Sequence, residues 1–144
     1  MAQLDAYSHC VTQAVNVPAE KAFAFLADGM QLGRWSFGCW ETKPAGDGLF
    51  TGHSLFDGGK GYVRIDGDAK RLIIDWHVGG SPDRMTPRIM ARVIPGPSTA
   101  RGADECLVTM TAWRDQGMDD RRWQRLVACH ETEIILIKSL MEAA

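Results

Sequence analysis

The apolar and polar positions change period several times along the chain, and each change marks an element. Residues 7–17 are rich in Val, Thr and other strand formers and read as a first strand. Pro18 suits the first position of a helix, where its missing N–H costs nothing. Glu20 follows in the first turn, where a negative charge favours the helix dipole. Residues 19–27 are apolar and Ala-rich, with Gly29 as a stop, and 30–35 form a second short helix. From 40 to 114 the pattern is strands separated by turn signals. Strands are expected at 40–43, 49–56, 61–65, 72–78, 88–94 and 106–114, with turns at 44–48, Asp57-Gly58-Gly59 and Asp66-Gly67-Asp68. In 72–78, Leu72, Ile74, Trp76 and Val78 alternate with Ile73, Asp75 and His77. In 88–94, Ile89, Ala91 and Val93 alternate with Arg88, Met90 and Arg92, which predicts Arg88 on the polar face. The last strand leaves two inward sets open, Cys106/Val108/Met110/Ala112 or Leu107/Thr109/Thr111/Trp113. Residues 118–141 then hold no Gly or Pro and follow a helical period. Trp123, Leu126, Val127, His130, Ile134, Ile137, Leu140 and Met141 share one stripe of that helix. The only large apolar surface on which the stripe can be buried is the sheet.

Composition narrows the class. The chain has 144 residues, 45% hydrophobic and 24% charged, the profile of a globular protein. That length suits a single domain over 1–144 with a sizeable core. Sixteen basic against 18 acidic residues give a net charge of −2, so no nucleic-acid partner held on a broad basic face is expected. No apolar run approaches the roughly 18 residues of a membrane helix. The first residues carry Asp5 where a secretory leader is basic and apolar. Membrane insertion and export are therefore not expected, and the cytoplasm is the expected compartment. Cysteines 10, 39, 106 and 129 form no C-x-x-C pair and read as free, small buried side chains. The Pro- and Gly-rich stretch 95–104 reads as a connection between strands.

The stronger catalytic motifs fail on inspection. His130-Glu131-Thr132-Glu133-Ile134 begins like a zinc-protease helix, but Ile134 stands where the second histidine would be. Gly58-Gly59-Lys60-Gly61 lacks the spacing and the Ser or Thr of a phosphate loop, and no Ser lies in G-x-S-x-G. No cofactor and no metal site are expected. His130 is the most informative residue, because it interrupts an apolar stripe. A buried imidazole needs a partner, either from the sheet or from a ligand oxygen. Glu133 lies one turn further along. Trp35, Trp76, Trp113 and Trp123 fall on or beside core-facing elements, as packing or as aromatic pocket walls. His77 is expected outward with Asp75, while His9 and the side taken by His53 suggest nothing specific. Arg34 is expected at the surface. Residues 79–87 form a long connection, read as a flap with Met85 as an adaptable contact or as an ordinary loop.

The order strand, two short helices, six strands and a long helix resembles the helix-grip fold of the START and pollen-allergen superfamily, also called SRPBCC. Local residues agree with that resemblance: Val15-Asn16-Val17-Pro18 through Leu26, Leu32-Gly33-Arg34-Trp35, Leu72-Ile73-Ile74-Asp75-Trp76, and Trp123 through Leu140. Within the superfamily the chain looks most like small bacterial proteins of the polyketide cyclase/dehydrase or lipid-transport type. The resemblance implies an α+β fold in which a curved seven-stranded antiparallel sheet grips the C-terminal helix. It also implies an apolar cavity between them for a small hydrophobic or amphipathic ligand. The residues expected to line it are Trp35, Trp76, Trp123, Val127, His130 and Ile134. Binding is the leading expectation, and a cyclase or dehydrase using the same cavity is the alternative. Free sheet edges keep a homodimer open.

Overall fold

The computed structural model describes residues 1–144. Its elements are β1 (Ser8–Val15), α1 (Ala19–Ala27), α2 (Leu32–Trp35), β2 (Trp40–Gly46), β3 (Leu49–His53), β4 (Lys60–Asp68), β5 (Ile73–Ser81), β6 (Arg84–Pro95), β7 (Cys106–Trp113) and α3 (Asp120–Ala143). The seven strands form one antiparallel sheet in the order β1-β7-β6-β5-β4-β3-β2. The first strand joins the last because it pairs with β7 over its whole length, from Ser8 opposite Trp113 to Val15 opposite Cys106. The α+β helix-grip architecture expected above is the one observed. No helix is long and apolar enough to cross a membrane.

The core lies between the sheet and the helices. Val15, Leu26, Ile74, Val93, Val108 and Met110 meet Ile134, Ile137 and Met141 of α3. Cys106, Val108, Met110 and Ala112 are the inward set of β7, whereas Trp113 is 38% exposed. α3 has 24 residues and is about 36 Å long. Asp119 caps it by accepting the Arg122 N–H at 2.8 Å. Its flank is tied to β1. The Lys138 ammonium donates to the Ala14 carbonyl at 2.9 Å, the Asn16 N–H donates to Glu142, and the Trp123 indole donates to the Ala6 carbonyl at 3.0 Å.

Local expectations change in several places, among them these. Pro18 is the residue before α1, in extended conformation, rather than its first helical residue. The Asp66-Gly67-Asp68 turn belongs to β4, and the chain reverses after Asp68, whose carboxylate accepts the Lys70 and Arg71 N–H groups. The long 79–87 connection is absent. β5 runs on to Ser81 and β6 starts at Arg84, so only Pro82-Asp83 joins them. A Cβ on Gly79 would fall 1.9 Å from the Arg84 carbonyl, so this hairpin closes only around glycine. The segment is a strand-paired hairpin end rather than a long loop.

Candidate functional site

A cleft of about 570 Å³ opens at one end of the molecule, between the N-terminal half of α3 and the sheet. One wall is α3, through Arg122, Arg125, Leu126, Cys129, His130 and Glu133. The facing wall is the start of β4 (Tyr62, Val63), the end of β5 (Val78, Gly79) and the start of β6 (Arg84, Arg88, Ile89). The rim comes from residues 36–39 after α2, the 54–59 turn and the 115–118 connection into α3. A Cβ on Gly52 would come within 2.6 Å of the Cys39 backbone, so this glycine lets the post-α2 segment sit directly on β3. The rim segments are stitched together. Leu55 N–H donates to the Phe37 carbonyl at 2.9 Å, the Phe37 and Phe56 rings lie 6.3 Å apart, and the Arg125 guanidinium sits 4.3 Å from the Phe56 ring centre.

A second, small pocket of about 40 Å³ shares Val63, Val78, Ile89, His130 and Glu133 with the cleft. Trp35 and Trp76 line it, packed edge to face with ring centres 5.8 Å apart. Their rings fill the deep end of the space between helix and sheet.

The six residues nominated from the sequence therefore separate. His130 lines both spaces, and Trp35 and Trp76 line only the inner one. Trp123 is buried and bonded to Ala6, Val127 is half-buried, and Ile134 belongs to the core; none of these three touches either space. They share the helical stripe with His130, but the cleft covers only part of that stripe.

His130 is 3% exposed, and its Nδ1 has no hydrogen-bond partner. Burial, reinforced by His9 and Arg88 nearby, pushes its pKa down to about 4, so the ring is neutral at physiological pH. His9, without expected significance, meets it edge to face at 5.8 Å between ring centres. Glu133 is 6% exposed and lies one turn on. Burial pushes its carboxyl up to about 7, against the opposing effect of the Phe37 N–H, which it accepts at 3.1 Å, and of Ser36. One group is thus driven neutral by losing its positive charge and the other by losing its negative charge. Cys39 and Cys129, on the same walls, are pushed up to about 11 by burial, far too high for a thiolate nucleophile at neutral pH. No cluster of three or more His, Cys, Asp or Glu side chains is placed to hold a metal ion.

Arg88 is the residue the strand pattern hid. Trp76 pairs with Ile89 and His77 with Pro87, so Arg88 has no opposite number and forms a bulge. The bulge turns Arg88 into the cleft beside Ile89, contrary to the outward position that alternation predicts. Pro87 is the signal that was available, since proline inside a central strand is confined to bulges.

Solved structures share this architecture. A START superfamily protein from Mycobacterium smegmatis matches with a TM-score of 0.66 and 15% identity, over 96% of this chain and 99% of that one. The fold is the START-like helix-grip fold. The Zhui aromatase/cyclase from Streptomyces sp. R1128 has it too, with a TM-score of 0.63 and 16% identity over 94% of this chain and 91% of its own. So does the Aha1 dimer from Colwellia psychrerythraea, with a TM-score of 0.66 and 14% identity over 94% and 96%. No protein-family model matches the sequence, and no curated protein matches it significantly. A shared fold does not fix function, and the cleft is what bears on it here.

Proposed function

We propose that the protein binds a small amphipathic molecule in the cleft between the sheet and the N-terminal half of α3. The volume of about 570 Å³ is in the range of small-molecule sites. Val78, Ile89, Met118 and Leu126 take the apolar part. Each Å² of apolar surface they cover contributes about 25 cal/mol before the costs of association. His130 orients the oxygen-bearing end, and Trp35 and Trp76 close the floor. The observation that carries this reading is the His130 ring, buried and neutral, with an unpartnered Nδ1 on the wall of a ligand-sized cleft. Trp123, Val127 and Ile134 hold the helix in place in this reading. Calorimetric titration with 1-naphthol and naphthalene tests it. The His130→Ala variant is expected to weaken 1-naphthol about tenfold and naphthalene less than about twofold. Equal losses for the two would refute the anchoring role.

A second reading, an enzyme of the cyclase or dehydrase type, is favoured by Glu133. Histidine at about 4 is a poor proton carrier at neutral pH, whereas a carboxyl at about 7 in the same cleft suits general acid–base work. Glu133 would take a proton from the carbon next to a carbonyl, and His130 would hold the carbonyl oxygen. The protonated Glu133 would then return that proton to the departing β-hydroxyl, which leaves as water. Elimination of water from a β-hydroxyketone, followed against pH, should then show an apparent pKa near 7 that disappears in Glu133→Gln. An unchanged profile in that variant excludes this reading.

A further inference from the structure

We infer that the molecule taken by the cleft is an apolar carboxylic acid, and that the Arg88 guanidinium, backed by Arg122, binds its carboxylate. The inference rests on the binding reading above and names its ligand class.

The first observation is a contrast of charge. The chain as a whole carries −2, yet Lys60, Arg84, Arg88, Arg122 and Arg125 line the cleft against Asp57, Asp115 and Glu133. Burial raises the Glu133 carboxyl to about 7, so it is half protonated at neutral pH and largely protonated below it. The space is therefore locally cationic, and its low-dielectric walls concentrate that field.

The second observation is that Arg88 is not neutralised by the protein. Its Nη1 is buried without a hydrogen-bond partner. None of the molecule's ion pairs involves it. Its charged neighbours are Arg122, a like charge, and Asp115, and Arg122 outweighs Asp115. A guanidinium does not shed its proton in a protein, so this charge stays and needs an anion. Two other cations of the cleft have aromatic partners: Arg125 stacks on Phe56, and Lys60 lies 5.3 Å from the Tyr62 ring centre. Arg88 alone of these cations is half-buried, the other four being exposed.

The third observation is position. The bulge that turns Arg88 inward places it next to Ile89, and its charge acts on His130 across the cleft. A carboxylate on the Arg88 fork can accept from the unpartnered Nη1 and also reach the His130 ring when that ring carries its proton on Nδ1. Val78, Ile89 and Leu126 then receive the hydrocarbon part. Recognition needs the planar fork, so lysine would not replace arginine here.

The test uses N-phenyl-1-naphthylamine as a fluorescent reporter of the cleft, displaced by decanoate and, in parallel, by decanol. Wild-type protein is expected to prefer decanoate over decanol by at least about tenfold, and the preference should fall as salt is raised. Arg88→Gln should erase most of that preference. Arg122→Gln, a change at an exposed position of α3 that leaves the core intact, should reduce it severalfold and keeps the test open if Arg88→Gln does not fold. If decanoate and decanol displace the reporter alike, the cleft binds amphipaths but the carboxylate assignment is overturned. A preference that survives in both arginine variants overturns it as well. If the folded wild-type protein binds neither the reporter nor either chain, the binding reading and this inference fall together.

Discussion

The two halves of α3 carry one continuous apolar stripe and end in different surroundings. The C-terminal half is sealed: Ile137 is 0% and Met141 1% exposed, and both sit in the core with Ile134. The N-terminal half faces the cleft with Leu126, Cys129 and His130, joined by Glu133 just past the midpoint. The sheet makes the difference. Under the C-terminal half lie Val15, Cys106 and Val108, inward residues at the paired ends of β1 and β7. Opposite the N-terminal half, β4, β5 and β6 reach their hairpin ends, with glycines at 79 and 80 and a bulge at Arg88. One helix thus serves as core at one end and as site wall at the other. The buried polar groups His130 and Glu133 stand where the packing is incomplete.

The largest effect that would sharpen this contrast is loss of packing. Ile137→Ala should cost about 3–4 kcal/mol in urea unfolding, because it opens a cavity in a closed region. Leu126→Ala, on the cleft wall, should cost less than about 1 kcal/mol, since the site is already open on one side. Equal costs would show that the two halves are packed alike.

Next come the two titrating groups. Glu133 rises from an ordinary 4.5 to about 7 on folding, so its contribution is fully present below pH 4.5 and is lost as pH rises through 7. That loss amounts to about 3 kcal/mol. His130 falls from 6.5 to about 4, so its contribution is present above pH 6.5 and is lost as pH falls through 4, again by about 3 kcal/mol. The two slopes oppose each other between pH 4.5 and 6.5, where their joint effect is nearly flat. Glu133→Gln should expose the histidine slope, with stability rising over that interval, and should make the protein more stable at pH 9. His130→Gln should expose the opposite slope. Chemical denaturation at a series of pH values reads both, and parallel curves for the two variants would break the pairing.

Smaller effects concern the start of α3. Asp119→Ala removes the cap on the Arg122 N–H and should cost about 1 kcal/mol. If hydrogen exchange then quickens along the first turns and not around Ile137, the two halves differ in dynamics as well as in packing. Arg125→Ala releases the Phe56 ring and should cost about 0.5 kcal/mol. Its clearer signature would be faster exchange in the 54–59 turn.

Much of this molecule was legible residue by residue. The 3.6-residue period of α3 and the alternation of 72–78 led to the element order, because those signals arise between neighbours a few positions apart, and that order carried the resemblance to the START-like fold. The importance of His130 was legible for the same reason: one polar residue broke an apolar stripe. Nothing local could say which part of the stripe would be covered, so Trp123 and Ile134 looked as much like site residues as His130. The inward set of β7 followed from its pairing with β1, almost a hundred residues away. Arg88 faces the cleft because one extra residue enters a ladder whose other strand is β5, and the buried Glu133 finds its partner in the N–H of Phe37, far back in the chain. Local periodicity carries the elements. The site is made by long-range register and burial, which exist only once the strands have paired and the helix has closed over them.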